Sequence, residues 1–475
     1  MINGVEQWVG AINDFLWTYI MIAMLIGTAL WFSFRTRFVQ FQRLGEMVRL
    51  LGEGVKEKSA HTEVSSFQAF CISLASRVGT GNMAGVATAI FLGGPGAIFW
   101  MWVIALLGSV SAFIESTLAQ MFKQKGKDSF IGGPAYYIQH GLGKRWMAIL
   151  FAISITVTFG LIFNSVQSNT VAISFEHTFG FDRLYVGIGL TILSLIIIFG
   201  GVHRIAVVSG VVVPLMAIFY VLLSVVLIII NITELPGILL TIFKNAFGWE
   251  QAVSGGVGAA LMQGIKRGLF SNEAGLGSAP NAAATATVTH PVKQGYIQAL
   301  GVFTDTLLIC SSTAFIILMA DPAATAGKDG IALTQAALND EIGMYGSVFV
   351  SVAIFFFTFT TILGNYYYGE ANILFFTKRK SVLMAYRFFV ALMVFLGSML
   401  SLQLVWSLAD ISMAVMGLIN LIAILLLGKY AIIALQDYRA QRKAGNLDPV
   451  FRASTIPEIS HKLVCWQDEE SQYNE

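Results

Sequence analysis

The chain has 475 residues, of which 56% are hydrophobic and only 12% charged, with a formal net charge of +2. Soluble domains carry about 25% charged residues, so a water-soluble core is excluded, and the absence of a basic stripe or dense basic run excludes a nucleic-acid partner. The three cysteines, Cys71, Cys310 and Cys465, have no spacing that fits a disulfide framework or a zinc site.

The first apolar run, Phe15 to Ser33, is long enough to span a bilayer. It lacks the basic start and small-residue cleavage site of a signal peptide, so a retained helix is expected. Further runs near 66–90, 96–122, 147–175, 183–201, 205–231, 253–285, 294–320, 345–376, 382–401 and 404–436 bring the expected total to about eleven transmembrane helices. The fold class is therefore an all-α polytopic membrane protein, with the lipid bilayer as solvent. The stretch 236–248 is too short and mixed to span and reads as an interfacial helix.

The loop charges fix an orientation. Arg35, Arg37, Arg43, Arg49, Lys56 and Lys58 follow the first span; Lys123, Lys125, Lys127, Lys144 and Arg145 follow the third; His203 and Arg204, then Lys293, then Lys378, Arg379 and Lys380 follow at alternate loops. With the C-terminal Lys429, Arg439, Arg442 and Lys443, all fall on one side of eleven spans. The opposite loops are poor in bases, the 321–343 loop setting Asp321, Asp329, Asp340 and Glu341 against Lys328. The excess of bases on the cytoplasmic side then places the N-terminus outside a bacterial-type inner membrane and the C-terminus in the cytoplasm. The polar tail, 437–475, is expected to be helical at first and disordered beyond, having few apolar residues to bury.

Two spans carry central glycines with polar neighbours: Ser76-Arg77-Val78-Gly79-Thr80-Gly81-Asn82 in the second, and Gly268 to Ser278, including Phe270-Ser271-Asn272-Glu273-Ala274-Gly275-Leu276-Gly277, in the seventh. Each interior glycine costs a helix about 1 kcal/mol relative to alanine, and unwound backbone is tolerated at membrane depth only against protein or a wet cavity. Residues 77–82 align with 273–278, five spans apart, so the halves would cross in opposite senses. Paired interrupted helices mark the binding site of an inverted-repeat transporter, where freed N–H groups attract a carboxylate and freed carbonyls a cation or ammonium. Close glycine-mediated helix packing is the alternative reading.

The segments Gly79-Thr80-Gly81-Asn82, Gly93-Gly94-Pro95-Gly96-Ala97-Ile98-Phe99-Trp100-Met101-Trp102 and Phe270-Ser271-Asn272-Glu273-Ala274-Gly275 resemble those of the alanine/glycine:cation symporter family, the sodium:alanine symporters, with a resemblance that runs from about 15 to 436. It implies a leucine-transporter-like 5+5 inverted repeat with one extra N-terminal helix: an N-terminal unit over 1–61, a ten-helix core over 62–436 and a tail over 437–475. It implies Na⁺-coupled import of a small neutral amino acid by alternating access, with no cofactor beyond the coupling ion, by a monomer. The substrate carboxylate would meet backbone at Thr80 and Gly81, its ammonium the carbonyls at Phe270 and Ser271 beside Asn272, and Asn82 would add a side-chain contact. Thr361 and Asn365 would face the substrate from the ninth span. The hydroxyls of Thr360 and Thr361 with the carbonyls of Ala75 and Val78 would ligate Na⁺, an oxygen-only set that suits a hard cation; the alternative for both threonines is back-bonding to their own helix. Other members carry tryptophan where Asn365 stands. The smaller, polar residue implies a roomier pocket that admits glutamine beside alanine and glycine.

Ionisable residues at membrane depth are costly and serve function or structure. Arg77 and Glu273 flank the breaks, and Glu115 is placed to receive hydrogen bonds from unwound backbone. Arg267 and Asp410 fall toward the outside as a gate pair. Lys266, Asp305 and Glu370 complete the set, and structural ion pairing is the rival reading for Glu115 and Glu370. His140 and His290 read as surface residues in polar loops. No nucleophile-and-base or metal-cluster spacing suggests an enzyme. Proton coupling through Glu115 or Glu273 is the alternative to Na⁺.

Overall fold

The computed structural model describes residue 10 and residues 12–56, 64–126, 129–248 and 256–467. Lys58, Lys127, the start of the 253–285 run and the tail beyond 467 lie outside the described residues. In chain order the main helices are α1 (Ile12–Arg35), α2 (Leu44–Lys56), α3 (Ser66–Arg77), α4 (Gly81–Gly93), α5 (Gly96–Met121), α6 (Arg145–Phe179), α7 (Arg183–Ile198), α8 (Gly201–Ile230), α9 (Leu235–Ala246), α10 (Gly256–Asn272), α11 (Ala279–Ala283), α12 (Pro291–Met319), α13 (Gly330–Ile342), α14 (Tyr345–Phe376), α15 (Lys380–Met399) and α16 (Leu402–Lys443). A short antiparallel hairpin, β1 (Gln124–Lys125) with β2 (Phe130–Ile131), follows α5.

Eight of these, α1, α5, α6, α8, α12, α14, α15 and α16, are long and apolar enough to cross a membrane. On α8 the side chains of Val211, Ile218, Leu222 and Ile229 are all exposed, which suits a hydrocarbon solvent and not water. The chain is a multi-pass α-helical membrane protein. Three expected spans are absent from the eight for identifiable reasons. Two, 66–90 and 253–285, are interrupted where the central glycines stand, giving α3/α4 and α10/α11. The third, α7, is only 16 residues long.

Local chemistry sets the ends. Ser65 caps α3 with a reciprocal box, its hydroxyl accepting from Gln68 N at 3.2 Å while Gln68 Oε1 accepts from Ser65 N at 3.0 Å. Asp182 caps α7 and Ser401 caps α16. His290 caps α12 through its ring, which accepts from Val292 N. That side chain is fully buried against Tyr438 and Phe451 and bonded to Asp437, so the reading of His290 as a surface residue is corrected.

The tail also differs from expectation. Beyond α16 the chain turns back and buries Phe451, Ile456, Ile459, Leu463 and Trp466. Phe451 N donates to Thr289 O at 2.9 Å and Trp466 Nε1 to Gln120 O at 2.9 Å. The few apolar residues suffice because the ends of α5 and α12 offer them a prepared apolar seat. The residues through 467 are thus ordered, not the disordered tail expected.

Candidate functional site

The first break follows from where backbone donors go. The last regular bond of α3 runs from Val78 N to Leu74 O. Gly79 N then donates to Asn82 Oδ1 at 2.9 Å and Thr80 N to Gln167 Oε1 at 3.0 Å. Both donors leave the helical pattern, which frees the carbonyls of Ala75 and Ser76 from their usual partners. Glycine is required at 79, because a Cβ there would lie 2.4 Å from Thr361 Oγ1 and 2.7 Å from Gln167 Oε1.

The freed Ala75 carbonyl and that of Val78 meet a hydroxyl from α14. Thr361 Oγ1 lies 2.8 Å from Ala75 O, 2.9 Å from Val78 O and 2.9 Å from Phe357 O. One hydroxyl has one hydrogen, so three carbonyls cannot all be satisfied by it. The result is a convergence of hard oxygen atoms suited to Na⁺. Of the four ligands expected, three come together. The fourth, Thr360 Oγ1, bonds back to Phe357 O and Phe356 O of its own helix at 2.9 and 3.1 Å.

The second break lies at 273–278. Glu273 takes φ +58°, with Gly275 at +83° and Gly277 at +82°. A left-handed glutamate is strained by about 1 kcal/mol or more, and its carboxylate is held from both sides, by Ser76 Oγ at 2.7 Å and Ser278 Oγ at 2.6 Å. The exposed backbone is gathered by Glu115, which accepts from Gly275 N at 3.2 Å, Gly277 N at 3.1 Å and Asn420 Nδ2 at 2.7 Å. Asn272 turns inward on the break itself, Oδ1 accepting from Ala274 N and Nδ2 donating to Thr306 Oγ1.

The two breaks touch. A Cβ on Gly81 would sit 3.0 Å from Ser271 Cα and 3.1 Å from Phe270 Cδ1. Asp305 of α12 ties them together: Oδ1 accepts from Asn82 Nδ2 at 2.6 Å and Oδ2 from Ser271 Oγ at 2.8 Å. Asn365 belongs to the same network, with Oδ1 2.8 Å from Ser76 Oγ, competing with Glu273 for its one hydrogen, and Nδ2 donating to Asn164 Oδ1 at 3.1 Å. Arg77 is fully buried and donates to Gln298 O at 3.2 Å.

Above this centre the aromatic rings of Phe163 and Trp406 flank Phe270, with centroids 4.5 and 4.6 Å away. Arg267 then covers Trp406 at 4.3 Å and clamps Asp410 with two bonds of 2.6 and 2.5 Å. Helix α1 braces the pair, as Trp17 Nε1 donates to Asp410 O at 3.2 Å. Glu370 pairs with Arg387 at 3.5 Å on the other flank.

Sequence reading missed the roles of Asp305, Gln167 and Asn164. The last two stand in the polar run Asn164 to Thr170 inside a span that is apolar before it, and that run was the signal available. Asp305 was noted only as an ionisable group, because nothing local tells that it reaches two helices at once.

The family model described as the sodium:alanine symporter family matches residues 2–453. The chain is 54% identical over 461 residues to the "Probable sodium/glutamine symporter GlnT" of Bacillus subtilis (strain 168), covering 97% of this chain and 96% of the relative. It is 53% identical over 460 residues to the amino-acid carrier protein AlsT of the same organism, covering 97% of each. It is 37% identical over 445 residues to the sodium/alanine symporter AgcS of Methanococcus maripaludis, covering 92% of this chain and 97% of the relative. Those proteins are transporters and not enzymes, and the chain, with its paired broken helices and its match over nearly the full length, belongs to the sodium:alanine symporter family.

Proposed function

We propose that this protein is a secondary active symporter that imports a small neutral amino acid with Na⁺ by alternating access. The observation that carries the reading is the meeting of the Ala75 and Val78 carbonyls with Thr361 Oγ1, made where α3 unwinds. In this reading α3/α4, α7 and α10/α11 join the eight long helices as eleven membrane crossings, arranged as a 5+5 inverted repeat preceded by α1. The core covers 62–436, the N-terminus faces outside and the C-terminus the cytoplasm, and the transporter acts as a monomer.

The amino acid lies between the breaks. Its carboxylate takes the N–H groups of Thr80 and Gly81, displacing the Gln167 amide from the former, and its ammonium faces the carbonyls at Phe270 and Ser271. Asp305 adds negative charge beside that ammonium through Ser271 and holds Asn82 in register. Asn365 leaves room for a longer polar side chain. Glutamine, which the name of one relative specifies, therefore joins alanine and glycine as a substrate.

Proton coupling is disfavoured at Glu115 because both its oxygens are committed as acceptors to N–H donors. The test is uptake of labelled alanine, glycine and glutamine into proteoliposomes with an inward Na⁺ gradient, with choline in its place, and with an inward proton gradient alone. Uptake should require Na⁺. Uptake driven by the proton gradient without Na⁺ would replace this reading with the proton-coupled one.

A further inference from the structure

On the basic side of the molecule, a cleft forms where α2 crosses the ends of α12 and α16. It is lined by Arg43, Glu46, Tyr296, Tyr438, Arg439 and Arg442, and its interior, about 10 Å³, holds no more than about one water, so a larger ligand meets it at the mouth. None of these residues touches the centre described above, and transport does not account for them.

The charges around the cleft are unequal. Glu46 is spent locally: it accepts from Arg49 Nε at 3.0 Å and Nη2 at 2.7 Å, from Tyr438 Oη at 2.5 Å and from Arg442 Nη2 at 3.2 Å. Arg49 is further paired with Glu53. Four arginines, Arg43, Arg49, Arg439 and Arg442, thus face two carboxylates, which leaves an excess of two positive charges. Arg439 is fixed by its Nη2 bond to Thr36 O at 3.0 Å, so its guanidinium is aimed before any ligand arrives. At the base of the cleft the Tyr296 hydroxyl is fully buried beside the Arg439 guanidinium.

The rim is apolar. Phe41, Leu44 and Val48, immediately beside Arg43 and along the outer face of α2, are all exposed. An amphipathic helix of this kind lies in the membrane interface, with its apolar residues among the upper acyl chains. The cleft therefore opens at the level of the headgroups, where basic pockets between membrane helices select anionic lipid. We propose that Arg43, Arg439 and Arg442, at the mouth of the cleft, bind the phosphate of an anionic lipid headgroup, whose acyl chains run over Phe41, Leu44 and Val48. The site rests only on the chain lying in a membrane and not on which amino acid or ion it carries. An inorganic phosphate shares the headgroup chemistry but gains nothing from the apolar rim.

The experiment uses the full chain purified in a neutral detergent and titrated with short-chain phosphatidylglycerol, short-chain phosphatidylcholine or inorganic phosphate, reading the thermal midpoint and the lipid retained in native mass spectrometry. Phosphatidylglycerol should raise the midpoint and stay bound, and the other two should not at equal concentration. Arg43→Gln and Arg439→Gln should each raise the half-saturating phosphatidylglycerol concentration roughly fivefold. Arg43 is exposed, so Arg43→Gln decides alone if R439Q does not fold. An equal response to phosphatidylcholine, or an unchanged half-saturating concentration in Arg43→Gln, would overturn the site. An equal response to inorganic phosphate would overturn the lipid as its source.

Discussion

Thr361 stands where three carbonyls converge on one hydroxyl, and Gly79 is what allows the approach. A methyl at Gly79 would force Thr361 or Gln167 aside by several tenths of an ångström, opening the oxygen cluster without removing any ligand. Gly79→Ala is expected to raise the Na⁺ concentration for half-maximal uptake by about tenfold, equivalent to roughly 1.4 kcal/mol, with the protein still inserted and folded. Asn365 tests the pocket. Tryptophan there would break the bonds to Ser76 and Asn164 and fill the space they occupy. In competition uptake, Asn365→Trp should exclude glutamine while alanine and glycine still compete, and unchanged competition by glutamine would remove Asn365 from the specificity argument.

The broken helices show how one carboxylate replaces a missing stretch of ladder. Glu115 accepts the two N–H groups that the turn at 273–278 leaves without helical partners, together with Asn420. Glu115→Gln swaps one charged acceptor oxygen for a donor that faces N–H groups, a loss of about 2–3 kcal/mol. The expected outcome is a lower unfolding midpoint in detergent and loss of uptake together, whereas loss of uptake at unchanged stability would assign Glu115 to the transport step itself. Helix α2 gives a pH dependence. Burial alone would raise the carboxyl of Glu46, but Arg49, Tyr438 and Arg442 hold it down to about 2 from an ordinary 4.5. Its folded value is depressed, so its stabilising contribution is full above about pH 4.5 and is lost as pH falls toward 2. The difference in thermal midpoint between wild type and Glu46→Gln should be constant near neutrality and shrink below about pH 5. The breaks were legible in the sequence because glycine and polar residues at mid-span have a direct backbone cost. The helices that stabilise them were not, since Asp305, Gln167 and Asn420 act through contacts between residues far apart in the chain.

Across the whole molecule, the class of protein was legible from composition alone, because hydrocarbon must surround the exposed residues of α8. Arg267 and Asp410, expected as a gate pair, are joined by a buried ion pair, with Lys266 at 3.9 Å from the same carboxylate. The packed C-terminal segment was not legible: its few apolar residues look insufficient until the ends of α5 and α12 are seen to receive them. The coupling of ion to substrate is the central claim, and it is tested most directly by substrate-driven entry of labelled sodium into proteoliposomes containing wild-type protein or Thr361→Ala. Alanine or glutamine outside should accelerate sodium entry in the wild type and leave it at the background rate in Thr361→Ala. Equal substrate-driven sodium entry in both, or none in the wild type, would contradict a coupling ion held by Ala75, Val78 and Thr361.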